Sequence, residues 1–246
     1  MAATQRIYLF DIDGTLISTG GAGRAAMDRA FADIHGVAGA MDGFVLAGKT
    51  DPLIYSELLA RCGAAPQEAR FRRRYLQYLR EELPKANGRG QVLPGVLPLL
   101  ELLSREPGAM MGLLTGNWRR GAVLKLEYYG LDGYFAFGAF GDDSADRHDL
   151  PAAARRRAAR IRPGTRVPDD RVYVIGDTPR DIGCARADGC VAVAVATGGY
   201  STGELAAHRP DHLFADLADT AAVARALGVP APEKAYPNCN AFLALI

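Results

Sequence analysis

The stretch Ile7-Tyr8-Leu9-Phe10-Asp11-Ile12-Asp13-Gly14-Thr15-Leu16 decides how this chain is read. It opens with a short apolar run of β-formers bounded by a turn signal, the pattern of a buried strand. Asp11 and Asp13 follow where that strand should run out, and Gly14 lets the chain turn sharply and present backbone N–H groups beside them. In an open α/β sheet, ligands bind at the carboxyl ends of strands. Neighbouring carboxylates there repel each other unless a cation compensates them. A hard, oxygen-seeking ion such as Mg²⁺ suits that role. The plainer alternative is a strand followed by an ordinary Asp-Gly turn, so the rest of the chain has to decide.

Outward from this stretch, residues 20–90 carry helical patterns and no convincing strand. Met27, Ala30, Phe31 and Ile34 recur at helical spacing within Arg24 to His35. Leu53, Ile54, Glu57, Leu58 and Leu59 follow Pro52 at a helix start. Pro66 opens a third helix through Phe71, Tyr75, Leu76 and Leu79, ended by Pro84 and Gly88. Its arginines (Arg70, Arg72, Arg73, Arg74, Arg80) read as a solvated face. From Val92 onward strands and helices alternate. Helices are expected over Pro94 to Ser104, Asn117 to Tyr129, Leu150 to Ile161, Pro179 to Ala187 and Asp216 to Leu227. Strands are expected over Met110 to Leu114, Arg171 to Ile175 and Val191 to Val195, with a β-prone aromatic segment from Tyr134 to Phe140. Such alternation implies a parallel sheet covered on both faces, with the helical block inserted after the first strand. No internal repeat is present, and residues 230–246 have no readable period or role.

The chain has 246 residues, 49% hydrophobic and 23% charged, enough for one large domain or a core with a smaller companion. Its formal net charge of +1 supplies no global field for nucleic acid or an anionic membrane. No apolar run is long enough to cross a bilayer, and the amino terminus lacks the apolar core of a signal peptide. Cys62, Cys184, Cys190 and Cys239 form no CxxC and no zinc spacing. A cytoplasmic protein with reduced thiols, monomeric or homodimeric, is the expectation.

Three expected strands end in polar groups: Asp11 and Asp13; Thr115-Gly116-Asn117; and Gly176-Asp177-Thr178-Pro179-Arg180-Asp181. If those strands are parallel neighbours, the groups converge on one crevice. Asp181 would lie in the first turn of the next helix, where a carboxylate caps orphan N–H groups. Thr115 and Asn117 stand where a helix begins, a ready anion site. A cation site beside an anion site is what a phosphate ester with Mg²⁺ needs.

Asp11-Ile12-Asp13-Gly14-Thr15-Leu16 matches the DxDGT signature of the haloacid dehalogenase-like hydrolase superfamily. Leu113-Leu114-Thr115-Gly116-Asn117 resembles its second motif, and Gly176-Asp177 through Asp181 its fourth, GDxxxD. The resemblance spans roughly Ile7 to Val195. It implies a Rossmann-like three-layer α/β core with a parallel sheet (residues 1–17 and 92–229) and an inserted α-helical C1-type cap (18–91). Such caps occur in phosphoglycolate phosphatase-like and β-phosphoglucomutase-like members. Arg147 occupies the place of the third motif's usual Lys; Lys125 is the fallback, although its mid-helix position favours a surface role.

By the same resemblance, Asp11 is the nucleophile that forms an aspartyl-phosphate and Asp13 the general acid and base. Mg²⁺ would be held by carboxylates of Asp11 and Asp177 and the backbone carbonyl of Asp13, with Asp181 supporting that shell. Thr115, Gly116, Asn117 and Arg147 would hold phosphoryl oxygens of a small phosphorylated metabolite. The second aspartate favours phosphate esters over the carbon chemistry of dehalogenase relatives. Two rivals share these residues: a β-phosphoglucomutase-like phosphoryl shuffler and a non-catalytic binding protein on the same fold.

Gly43 to Thr50 matches the phosphate-loop pattern GxxxxGK[ST], but no clear strand precedes it, and context is what confirms such a match. A cap loop whose Lys49 faces the substrate and a solvent-facing Lys49 are equally good readings. Gly21 to Ala26 is only a weak dinucleotide fingerprint. The histidines (His35, His148, His208, His212) show no metal spacing, with His148 expected exposed at a helix start. Trp118 is read as packing between core and cap, and Tyr128 and Tyr129 as core.

Overall fold

The computed structural model describes residues 4–86, 88–164 and 167–229. The tail 230–246 and Cys239 therefore lie outside the described residues.

The opening stretch forms β1 (Arg6–Phe10), and the chain then enters a three-residue strand, β2 (Ile17–Thr19). A helical block follows, comprising α1 (Ala22–His35), α2 (Asp51–Cys62) and α3 (Glu68–Glu82), before β3 (Gly90–Val92) returns the chain. Thereafter come α4 (Val96–Arg105), β4 (Ala109–Leu114), α5 (Arg119–Tyr128), β5 (Phe137–Ala139), α6 (Leu150–Ile161), β6 (Val172–Gly176), α7 (Pro179–Ala187), β7 (Val191–Val195), α8 (Thr202–Ala207), β8 (His212–Phe214) and α9 (Thr220–Ala226). The expected helices over Leu150 to Ile161 and Pro179 to Ala187 hold to the residue. Short β2, β3, α8 and β8 had no periodic signal long enough to read.

Six strands form one sheet in the order β5-β4-β1-β6-β7-β8, and every adjacent pair is parallel. Alternate residues of β1 point to opposite faces, and both faces are dry. Tyr8 and Phe10 pack with Leu99, Leu100 and Leu103 of α4, Ala122 and Leu126 of α5, and Val223 and Ala224 of α9. Ile7 and Leu9 pack with Ala154 and Ala158 of α6, Ile182 and Ala185 of α7, and Leu205 of α8. Helices on both faces make the three-layer α/β core that the alternation implied, and this double burial explains why β1 reads as a continuous apolar run. β4, β1 and β6 are neighbours, so the three polar strand ends do meet. They do so where the strand order reverses about β1, the position at which open sheets bind ligands.

β2 and β3 pair antiparallel, Ile17 opposite Val92 and Thr19 opposite Gly90, so the helical insert leaves and rejoins the core through one ribbon. The insert has its own apolar centre: Met27 and Phe31 of α1, Ile54, Tyr55 and Leu58 of α2, and Phe71, Tyr75 and Leu79 of α3. Trp118, from the sheet layer, completes it, packing edge-on to Phe71 with ring centroids 6.0 Å apart and tilted to Tyr75 at 5.8 Å. It thus packs between the two layers as read. Arg70, Arg73, Arg74 and Arg80 are exposed on α3, while Arg72 lies over the Trp118 ring. Tyr128 corrects an expectation: it is 49% exposed, because it falls on the outer face of α5. Tyr129 is half-buried and donates its hydroxyl to the Ser18 carbonyl.

Candidate active site

The tips of β1, β4 and β6 surround a cavity of about 270 Å³ roofed by the insert. Asp11 is the first residue past β1, tied in by its N–H to the Ile175 carbonyl of β6 at 2.9 Å, and is buried. Gly14 then turns the chain at φ 83, a left-handed conformation that favours glycine. A Cβ on Gly14 would also stand 2.4 Å from Asp177 Oδ2, so the turn packs directly on the acid at the tip of β6. Thr15 donates to the other Asp177 oxygen at 3.2 Å.

Asp11, Asp177 and Asp181 each place a carboxylate oxygen within 4.8 Å of the others, all three residues buried. Burial, with the charges of Asp181 and Asp13 adding, pushes the Asp11 carboxyl up to about 6 despite Arg147. Burial, with Asp181 and Asp11, raises Asp177 well above the carboxylate range. Three packed acids, two of them raised in this way, form a site short of positive charge, and their hard oxygens fit a small divalent cation.

Arg147 supplies part of that charge. It lies in a 3₁₀ turn just before α6, the place where the third motif was sought. Its Nη2 contacts Asp181 Oδ1 at 2.5 Å, Asp11 Oδ2 at 3.2 Å and the Leu114 carbonyl at 3.3 Å. Burial alone would lower its pKa, but Asp11 and Asp181 outweigh this and raise it further. Its Nε is buried without an acceptor among the described residues. Asp181 is occupied as well: its Oδ2 accepts from the N–H and hydroxyl of Thr178 at 3.0 and 2.7 Å, capping α7.

Asp13 faces the other way, with its side chain 41% exposed. Lys125, read as a surface residue, is 4% exposed, and its Nζ lies 2.6 and 2.8 Å from the two Asp13 oxygens and 2.7 Å from Asn117 Oδ1. The mid-helix expectation fails because Lys125 shares the buried face of α5 with Gly121, Ala122 and Leu126. That helical spacing was the signal to follow. Asn117 Nδ2 donates to Asp13 Oδ2 and to Thr115 Oγ1, both at 2.8 Å. Both amide hydrogens are thus engaged within the protein. Thr115 Oγ1 also accepts from the Asn117 N–H at 3.3 Å, which leaves its own hydroxyl hydrogen as the group free to donate.

The insert is seated on this loop. The Asp51 N–H donates to the Gly116 carbonyl, and the Trp118 N–H donates back to Asp51 Oδ2, both at 2.7 Å. Thr50 donates to the Ala145 carbonyl at 2.7 Å. A Cβ on Gly116 would stand 2.3 Å from the Lys49 carbonyl, so glycine is what permits the approach. Asp51, which carried no sequence signal beyond a helix start, is buried, and burial lifts its carboxyl to about 7. Lys49 lines the cavity, ion-paired with Glu57 at 2.5 Å and 4.5 Å from the Phe44 ring centroid. Gly43 to Thr50 is a loop between α1 and α2 with no strand before it, unlike a nucleotide phosphate loop. His148 is exposed beside Asp146, outside the cavity.

Acids past the tip of β1, a hydroxyl at the end of β4 and a second acid pair at β6 thus meet in one crevice. The chain belongs to the haloacid dehalogenase-like hydrolases, whose family model matches residues 8–186. It is 31% identical over 166 residues to the phosphoglycolate phosphatase of Synechococcus elongatus, covering 66% of this chain and 71% of the relative. A hydrolase from Pseudomonas syringae superposes with a TM-score of 0.63 at 24% identity, over 87% of this chain and 95% of that one. CbbY from Rhodobacter sphaeroides, solved in complex with phosphate, superposes with 0.64 at 22%, over 88% and 96%. Family and relatives together make this protein a phosphatase.

Proposed function

We propose that the protein hydrolyses a small phosphate monoester in two steps, with Mg²⁺ held by carboxylates of Asp11 and Asp177 and the carbonyl of Asp13. The observation that carries this reading is the division of labour between the two β1 acids. Asp11 is buried against Arg147 among the packed acids, whereas Asp13 is half-open to the cavity on a separate cation.

Asp11 attacks phosphorus, forming an Oδ–P bond as the bond from phosphorus to the leaving oxygen breaks. Asp13 gives its proton to that oxygen, then removes one from the water that cleaves the aspartyl-phosphate, which restores both acids and releases inorganic phosphate. The Thr115 hydroxyl, the Gly116 N–H and the remaining donors of Arg147 hold the phosphoryl oxygens. Bound Mg²⁺ supplies charge neutralisation for the oxygens gathered there. Residues 18–91 act as the cap over a core of 1–17 and 92–229, with Lys49 bearing on substrate choice. Phosphoglycolate is the first ester to try, because the Synechococcus relative is named for it. The balanced charge supports a metabolite rather than a nucleic acid as partner, and the free thiols of Cys62, Cys184 and Cys190, the cysteines among the described residues, support action in the cytoplasm.

The test is hydrolysis of p-nitrophenyl phosphate and phosphoglycolate by wild type and Asp11→Asn, with Mg²⁺ or with EDTA. Turnover that needs both Mg²⁺ and Asp11 is expected. Turnover by Asp11→Asn at the wild-type rate would sink the reading.

A further inference from the structure

Two cations serve the two aspartates of β1, and only one of them, Arg147, stands where the family motif places a cation. We propose that Lys125 is a positioning residue that, with Asn117, holds Asp13 in the orientation from which it exchanges protons with leaving group and water. This rests on the reading of Asp13 as the general acid and base.

The geometry is specific. The Lys125 ammonium has three hydrogens, and its three close partners are Asp13 Oδ1 at 2.8 Å, Asp13 Oδ2 at 2.6 Å and Asn117 Oδ1 at 2.7 Å. Lys125 is 4% exposed, so its position is fixed by the packing of α5 rather than left to a mobile surface chain. Asn117 ties the same Asp13 Oδ2 to Thr115, which is placed at the end of β4. The carboxylate is thereby gripped from α5 and from β4 at once. With both oxygens held, the carboxylate keeps one orientation through both proton transfers. That is the requirement for a group that must give a proton in one step and take one in the next. Lys125 lines the cavity but makes no ion pair with Asp11, whose cation is Arg147. Its effect is therefore expected only where Asp13 acts.

The leaving group separates these roles. p-Nitrophenolate departs without a proton, whereas an alkoxide needs one. In Lys125→Met, kcat/KM for an alkyl ester such as glycerol phosphate is expected to fall on the order of 100-fold, and for p-nitrophenyl phosphate less than about 10-fold. Slow cleavage of the aspartyl-phosphate should then show as a burst of p-nitrophenolate approaching one equivalent of enzyme. Lys125→Arg, which keeps the buried charge should the Met variant not fold, is expected to lie between the two. Equal losses on both esters without a burst, or wild-type behaviour on both, would overturn the positioning role. These outcomes are read against Asp11→Asn. If turnover depends on Asp11 but the losses are equal, only this proposal fails; if turnover does not depend on Asp11, the parent reading fails with it.

Discussion

Arg147 joins Asp11 to Asp181 through a single nitrogen, Nη2, at 3.2 and 2.5 Å. One cation thus compensates two buried acids, and the rest of its guanidinium is not needed for that task.

Replacing Arg147 with Met would leave both buried acids without their shared cation, a change that costs about 3–5 kcal/mol in comparable sites. A large fall in Tm and loss of turnover are expected. Arg147→Lys can still serve the acids but lacks the planar fork. It should regain most of the Tm while KM for phosphate esters stays raised by roughly 10-fold, about 1.4 kcal/mol. Thermal unfolding and steady-state kinetics on the two variants check both halves.

The raised carboxyls of Asp11 and Asp177 predict stabilisation by a divalent ion. At a hundredfold excess over Kd, Mg²⁺ should add about 2.7 kcal/mol, seen as a higher Tm that EDTA reverses. Asp177→Asn should remove the shift. An unchanged Mg²⁺ response in that variant would place the ion elsewhere.

Asp51 sets a pH dependence of stability. Its carboxyl is raised to about 7 from 3.8, so the fold favours the protonated form. Its contribution is complete below the unfolded value and is lost as the pH rises through about 7. Asn at this position keeps an oxygen for the Trp118 N–H and cannot ionise. The advantage of Asp51→Asn over wild type should therefore grow between pH 5 and pH 8, by about 2–3 kcal/mol. Denaturant melts at the two pH values measure the difference, in which the other acids cancel.

Gly116→Ala drives a Cβ into the Lys49 carbonyl, which is backbone and cannot swing aside. The seat of the insert should loosen. A fall of about 1–3 kcal/mol in stability is expected, with a loss in kcat/KM greater than that of Gly133→Ala, where nothing lies within 4 Å.

Much of this site was legible because β1 and β6 are buried on both faces, so each reads as an apolar run that stops at its acid. The order Asp11, Thr115, Asp177 is then fixed by strand ends. Lys125 was named as a fallback cation but placed at the surface, because a lone lysine within a helix is usually solvated. Only its register with Ala122 and Leu126 marks it as inward. Asn117 was read as a phosphate ligand from its place at a helix start, yet its amide is fully engaged with Asp13, Thr115 and Lys125. Such networks join residues more than a hundred positions apart and leave no local pattern. Asp51 was hidden in the same way, since its partners Gly116 and Trp118 come from the far side of the insert.

The paired β2 and β3 set Thr19 directly opposite Gly90. The chain between those two residues therefore begins and ends at one place beside the sheet, so a change in its length need not shift the register of β2 and β3. A replacement has to bring its own cover for Trp118, whose ring would otherwise stand bare. It also has to rebuild the seat that Asp51 and Thr50 make on Gly116, Trp118 and Ala145.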